Sequence, residues 1–293
     1  MPDLVELLDE LPDLICCFLP DGKLSYVNQA YAAYYGSTPA ELIGTSFLDL
    51  VPSEFRPVVK ANLQNLLELR PENPTVVDVH QGGDATGNPR WFRWTNKAFF
   101  DADSDQPREF AGIGHDVTAQ RKAEERTRYL AAHDSLTGLI NRHTLREELE
   151  DQLRRARSDG RGFGLLYLDL DGLKAINDRY GHSAGDDFIK RASNALLLSF
   201  RDSDVVGRMG GDEFVVVCPG VNEQEQLAAM LERARIVLRR AQTMPDVEVI
   251  GISAGMIICD GNTTADSVLQ EADRAMYRDK QNRKARARRE SDA

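Results

Sequence analysis

Residues 118–132, TAQRKAEERTRYLAA, contain no Gly or Pro and are rich in strong helix formers. Charge recurs along them, so the segment cannot be a core element. It reads as a connecting helix, either exposed or paired in a parallel two-stranded coil with a thin apolar seam, and the dimeric coil is the preferred reading. This helix divides the 293-residue chain into two stretches of different pattern, 1–117 and 133–293. Each is long enough to bury its own core.

The first stretch is β-rich and aromatic. Leu4, Leu7, Leu8 and Leu11 recur at helical spacing, and ICCFLPDGKLSYVN reads as two apolar strands around the turn Pro20–Asp21–Gly22. Short helical segments follow (QAYAAYYG, PAELIG, FRPVVKANLQNLLEL). Then TVVDVH and RWFRWTNKAFF pair across a Gly-rich loop, and EFAGIGHDVT closes the set. Two strands, short helices and three strands predict an α+β sensory domain. FLPDGKLSYVNQAYAAYYG, the paired Trp91 and Trp94, and the closing GIGHDVTAQRKAEE resemble the PAS family over about residues 5–120. The resemblance implies a domain that holds a small ligand in a pocket or dimerises. Trp91 and Trp94 are read as core packing, and no haem or flavin is expected.

A hydrophobic fraction of 42% and a charged fraction of 28% are those of a globular protein. No apolar run is long enough for a transmembrane helix, and MPDLVELLDE lacks the basic and apolar regions of a secretion signal. The four cysteines, Cys16, Cys17, Cys218 and Cys259, have neither metal-ligand nor disulfide spacing and are read as reduced core thiols. A cytoplasmic protein without a membrane partner is expected. The net charge of −11 argues against nucleic acid, which requires clustered Lys and Arg. The one basic cluster, RKARARR at 283–289, reads as a solvated tail whose first residues can still belong to a site.

The second stretch alternates helices and strands, which predicts an α/β sheet with helices on its faces. Helix 141–158 leads to strand GFGLLYLDL, then helix LKAINDRY, a loop GHSAGDD and helix FIKRASNALLLSF. A hairpin, helix 223–242, strand VEVIGISAGMIIC and helix ADSVLQEADRAMYRDK complete it. In the hairpin, RMGGDEFVVV, Gly210 and Gly211 supply the φ > 0 residues of a tight turn. Taken alone, Asp212 and Glu213 are compatible with a solvated β-turn. The apolar run before Asp169 reads as a central strand, which places Asp169 and Asp171 at the sheet edge where ligands bind in open α/β sheets. The two acids flank Leu170 and are read as pointing to opposite faces, so that one of them shares a site with the hairpin. Carboxylates from neighbouring strands repel unless a cation joins them, and Mg²⁺ suits a few carboxylates completed by phosphate oxygens and water. Paired glycines let a nucleotide approach the turn closely. Lys174 and Asn177 lie on one helix face, where Lys can meet phosphate and Asn a base edge. Asp186 can accept two hydrogens from a guanine edge.

DLDGLKAINDRYGHSAGDDFIK, RMGGDEF, AAHDSLTGLINR and ADRAMYRDK resemble, in order across residues 131–284, the signature blocks of the GGDEF family, the diguanylate cyclases. The resemblance implies condensation of two GTP into cyclic di-GMP with release of two pyrophosphates. It makes Asp169, Asp212 and the backbone carbonyl of Leu170 ligands of two Mg²⁺, with Mn²⁺ as a substitute. Glu213 becomes a metal ligand or the activator of the attacking 3′-hydroxyl. Asn177 and Asp186 become guanine readers, Lys174 a phosphate or transition-state contact, and His182 a lining residue of the nucleotide pocket beside Gly210 and Gly211. Lys280 would hold the terminal phosphates. At the usual Gly and Arg positions of the last helix stand Arg283 and Lys284, which predicts weaker GTP binding because Lys lacks the guanidinium fork; Arg283 is a candidate substitute. Arg201 and Asp204, six residues before Gly210, match the family's product-binding inhibitory site. One nucleotide per domain and a product of two imply a homodimer through the PAS domain and connecting helix. The competing reading is a silent GGDEF domain sensing GTP or cyclic di-GMP, and no phosphodiesterase domain is expected after Ala293.

Overall fold

The structure is a computed structural model and describes residues 3–68, 75–83, 88–101, 106–241 and 251–291. The chain divides into two compact units, 1–126 and 127–293.

The first unit contains α1 (Leu4–Asp9), β1 (Leu14–Phe18), β2 (Leu24–Val27), α2 (Gln29–Tyr34), α3 (Pro39–Leu42), α4 (Phe47–Leu50), α5 (Arg56–Glu68), β3 (Thr75–Gly83), β4 (Pro89–Phe100) and β5 (Pro107–Asp116). All paired strands run antiparallel in the order β2-β1-β5-β4-β3, so the last strand lies beside the first. Asn28 fastens the start of the unit. Its buried amide accepts from the N–H groups of Ile15 and Tyr31 (both 3.0 Å) and donates to the carbonyls of Leu8 (3.0 Å) and Asp13 (2.9 Å). A buried amide satisfied this fully specifies the path of three elements at once. Trp94 is core, as expected: its ring lies over Gly112 and Gly114 of β5, and a Cβ at Gly114 would approach it to 2.8 Å. Trp91 is only half-buried and carries the Arg121 guanidinium 4.1 Å above its ring. A cavity of about 40 Å³, lined by Cys16, Phe18, Tyr31, Trp94 and Asn96 among others, remains inside. As it stands, that is space for a few waters.

The helix α6 (Thr118–Ala132) spans the charged, Gly- and Pro-free segment. The second unit continues with α7 (Arg142–Asp159), β6 (Phe163–Asp171), α8 (Leu173–Tyr180), α9 (His182–Ser199), β7 (Val205–Gly210), β8 (Glu213–Pro219), α10 (Gln224–Arg240), β9 (Gly251–Cys259) and α11 (Ala265–Ser291). The sheet order is β7-β8-β6-β9. β6 is interior, and both its neighbours run antiparallel to it. The apolar run marks an interior strand, as expected, and its cause is burial on both faces. Leu166, Leu168 and Leu170 face the layer of α9 and α10, while Leu165 and Tyr167 face that of α7 and α11. A strand covered on both faces loses its alternation whatever the direction of its neighbours.

Two other expectations are corrected. GHSAGDD is not a loop: Gly181, at φ 84°, ends α8 and α9 begins at once with His182. The opening turns of α9 are polar because they are exposed. The basic cluster is not a tail either, since α11 continues to Ser291; side chains beyond Ala285 lie outside the described residues, as do residues 247–250 of the expected last strand. All four cysteines are free, and burial pushes the Cys218 and Cys259 thiols up to about 12. Among the described residues no helix is long and apolar enough to cross a membrane.

Candidate active site

The hairpin closes on the pair Gly210–Glu213, leaving Gly211 and Asp212 as the turn. Gly210 (φ 145°) and Gly211 (φ 52°) take the conformations that their lack of Cβ permits. Two contacts fix the turn from below. The Leu170 N–H donates to the Asp212 carbonyl (3.0 Å), which joins the turn to the end of β6. Arg208 donates from Nε (3.1 Å) and Nη2 (2.8 Å) to the Gly211 carbonyl, and from Nη1 (2.8 Å) to Asp134 Oδ1. Asp134 also accepts from the Thr137 amide (2.9 Å) and hydroxyl (2.7 Å). Burial alone would raise the Asp134 carboxyl, but these hydrogen bonds outweigh it and hold the group below the usual carboxylate range. Sequence reasoning missed Arg208. Its signal is an Arg inside an otherwise apolar strand, directly before the paired glycines.

The acids of β6 lie on one face, not two. Residues two apart in a strand point the same way, and the contacts follow that rule: Lys280 Nζ reaches Asp169 Oδ1 at 2.6 Å, and Arg283, one turn further along α11, reaches Asp171 at 3.6 Å. Ser253 of β9 donates to both oxygens of Asp171 (2.9 and 3.1 Å). Gly251, opposite Asp171, has no Cβ because the Arg283 guanidinium fills that space. Glu213 stands directly opposite Asp169 on β8, and the Tyr167 hydroxyl donates to its Oε2 at 3.0 Å. Asp169, Asp171 and Glu213 thus converge at the strand ends next to the hairpin turn.

Asp169 is 5% exposed, and burial pushes its carboxyl above the usual range; the Lys280 hydrogen bond opposes this, while the charges of Asp212 and Asp171 add to it. Burial alone would lower the Lys280 ammonium, but Asp169, Asp212 and Asp171 together raise it. Burial is the first cause at Asp169 and crowding of carboxylates the cause at Lys280; together they mark a site with more carboxylates than the two cations, Lys280 and Arg283, that face them. That excess fits a divalent cation. Among the described residues no three His, Cys, Asp or Glu side chains form a metal cage by themselves. A cation held by Asp169, Asp212 and a backbone carbonyl would need further oxygens from its ligand, the habit of Mg²⁺.

Of the remaining expected residues, Asn177 has the most telling surroundings. Its Oδ1 is buried without a hydrogen-bond partner, and a Cβ at Gly185 of α9 would run into that atom. A buried amide oxygen left unpaired is costly unless a ligand satisfies it. Asp186 follows Gly185, so Asn177 and Asp186 belong to the same α8–α9 junction, where both Asp186 and His182 are exposed. Lys174 and Lys284 are also exposed, and Lys280 is committed to Asp169. Away from this site, Asp204 is buried and its Oδ2 accepts from the Arg201 N–H (2.9 Å), while the Asp204 N–H donates to the Arg201 carbonyl (2.9 Å). Arg201 itself is exposed at the rim of an open pocket of about 450 Å³ lined also by Val221, Gln226, Met230 and Arg233. Arg233 is a second cation there that sequence reasoning missed.

The family described as diguanylate cyclase, GGDEF domain, matches residues 131–286, and the PAS fold matches residues 8–122. The chain belongs to the GGDEF family. Among curated proteins, this GGDEF protein is 39% identical over 153 residues to the diguanylate cyclase DgcP of Escherichia coli, covering 51% of this chain and 45% of that one. It is 30% identical over 258 residues to the cyclic di-GMP phosphodiesterase PdeR of the same organism, covering 87% of this chain and 38% of that one. It therefore spans less than half the length of these relatives. Among solved structures, the coiled coil and GGDEF domain of DgcB from Caulobacter crescentus, in complex with c-di-GMP, superposes with a TM-score of 0.52 at 28% identity, covering 57% of this chain and 89% of that one.

Proposed function

We propose that this PAS–GGDEF chain is a diguanylate cyclase that condenses two GTP into cyclic di-GMP and releases two pyrophosphates. The observation that carries the reading is the crowding of Asp169, Asp171, Asp212 and Glu213, more carboxylates than Lys280 and Arg283 balance, beside a turn of two glycines. Such an excess is costly to maintain unless it receives cations together with a polyphosphate.

Two Mg²⁺ bound there would lower the barrier by stabilising the attacking oxygen and the leaving pyrophosphate. The residues supply the rest. Asp169, Asp212 and the Leu170 carbonyl would hold the cations. Gly210 and Gly211 leave room for the phosphates, and Lys280, Lys284 and Lys174 meet their charge. Asn177 Oδ1 accepts from the guanine N–H edge, and Asp186 completes the reading that adenine cannot satisfy. His182 borders the base. Glu213 takes the proton from the 3′-hydroxyl of one GTP as that oxygen bonds to the α-phosphorus of the other; the bond from that phosphorus to the pyrophosphate oxygen breaks. The same step repeated in the opposite sense closes the ring. Each domain offers one nucleotide, so two chains must face each other, and a homodimer through the PAS domain and α6 would govern that encounter. Arg201, with Arg233 beside it, is suited to a guanine edge or phosphate of accumulated product. The Asp204 carboxylate, which accepts from the Arg201 N–H through Oδ2, would complete that site with its other oxygen.

The test is incubation of the purified protein with Mg²⁺ and GTP or ATP, with the product identified by mass. Cyclic di-GMP from GTP alone is the expected result, and Asp212→Asn should abolish it with the melting temperature retained. Turnover by that variant within twofold of the wild type would refute the assignment.

A further inference from the structure

We propose that Tyr167 is a positioning residue for Glu213, holding one carboxylate oxygen so that the other faces the reacting centre; this rests on the cyclase reading above. Tyr167 precedes Asp169 by two residues on β6 and shares its face. Its direct partner on β8 is Val215, so Glu213 is its diagonal neighbour, at the distance only a long side chain spans across a sheet. The residue is 6% exposed and belongs to the packed layer of α7 and α11 that also holds Leu149, Val215 and Met276. A packed aromatic ring has little rotational freedom, and its hydroxyl is therefore a fixed point. The one partner it meets is Glu213 Oε2, at 3.0 Å.

A glutamate at the start of a strand has three rotatable bonds, and no other hydrogen bond holds the Glu213 carboxylate among the described residues. The Tyr167 hydroxyl removes most of that freedom by donating to one oxygen. Burial, and then the charge of Glu213, raise the phenol far above neutral pH, so it remains a donor throughout the working range. Asp273 and Arg142 are the other charged groups acting on the ring; Asp273 pushes the phenol further up and Arg142 pulls it down. A phenylalanine at 167 would fill the same space. The hydroxyl therefore serves the carboxylate, not the packing.

The experiment compares full-length wild type, Tyr167→Phe, Glu213→Gln and the double variant for kcat, KM for GTP and the melting temperature. The expected result for Tyr167→Phe is an unchanged melting profile, KM within twofold and kcat lower by about tenfold. Added to Glu213→Gln, the substitution should cost nothing further, since the two act as a unit. Wild-type kcat in Tyr167→Phe, with Glu213→Gln impaired, would overturn the tyrosine's role and leave the cyclase reading intact. A wild type that forms no cyclic di-GMP would overturn both.

Discussion

Replacing Lys280 by Met tests the charge balance at the strand ends most directly. The ammonium lies 2.6 Å from Asp169, with side-chain exposures of 24% and 7%, and faces the charges of Asp212 and Asp171 as well. Removing one partner of a buried ion pair leaves the other uncompensated, at a cost of about 3–5 kcal/mol. Because the Lys280 head group keeps some contact with water, the lower end applies, about 3 kcal/mol. For a unit the size of residues 127–293 this lowers the melting temperature by roughly 6–12 °C. Two further readouts separate this cause from ordinary lost packing. The Asp169 carboxyl is already raised, and loss of Lys280 raises it further. A carboxyl whose pKa is higher folded than unfolded contributes stability that is present in acid and lost as pH rises through the folded value. The deficit of Lys280→Met should therefore shrink from neutral pH towards pH 5. A divalent cation restores the missing charge, so Mn²⁺ alone should raise the melting temperature of the variant more than that of the wild type. Adding Asp169→Asn to the variant should recover most of the loss. A Lys280→Met protein that melts with the wild type in metal-free buffer, or whose deficit is insensitive to both pH and Mn²⁺, would refute the reasoning.

Arg208→Gln cuts the hairpin turn from Asp134 and should lower the melting temperature at neutral pH. Asp134 is held below the usual range, so its contribution is present above the ordinary carboxylate pKa and lost as pH falls through the folded value; the gap between variant and wild type should narrow as the pH falls below the usual carboxylate range, leaving the part due to the two bonds to the Gly211 carbonyl. A gap independent of pH would contradict the assignment. Arg201→Ala should keep the initial rate of cyclic di-GMP synthesis and abolish its slowing as product accumulates. Identical progress curves for wild type and variant at high added cyclic di-GMP would show that the site is absent or empty.

What was legible in the sequence is what depends on neighbours along the chain. The paired glycines demanded a tight turn, the Gly- and Pro-free charged segment demanded a helix, and both stand where expected. What was not legible depends on elements distant in sequence. β6 is buried on both faces by helices distant in sequence, which erased its alternation and left no local mark of its antiparallel neighbours. Tyr167 read as one more apolar residue in that run, because its partner Glu213 is 46 positions away. Arg208 gave a local signal, a cation inside a strand, but its acceptor Asp134 belongs to a segment 74 positions earlier. The misassigned faces of Asp169 and Asp171 are a different failure: the period of two was sufficient to place them together, and was misapplied.

The cations of α11 carry the argument about the altered phosphate end one step further. Arg283 was a candidate to take over from the Arg that Lys284 replaces. It lies across Gly251 with its Nε 3.6 Å from Asp171, and is partly buried there. Releasing it towards a triphosphate would leave Asp171 with only the Ser253 hydroxyl, a neutral donor, as its partner. Lys280 differs, because the carboxylate it leaves is the one proposed to receive a divalent cation in exchange. Arg283 has no such replacement on offer. The phosphate end of the proposed site therefore rests on Lys280 and the exposed Lys284 and Lys174, point charges without a guanidinium fork. On this balance the weaker hold on GTP expected from the sequence would follow from where Arg283 is committed, and metal and nucleotide should bind together more favourably than either alone.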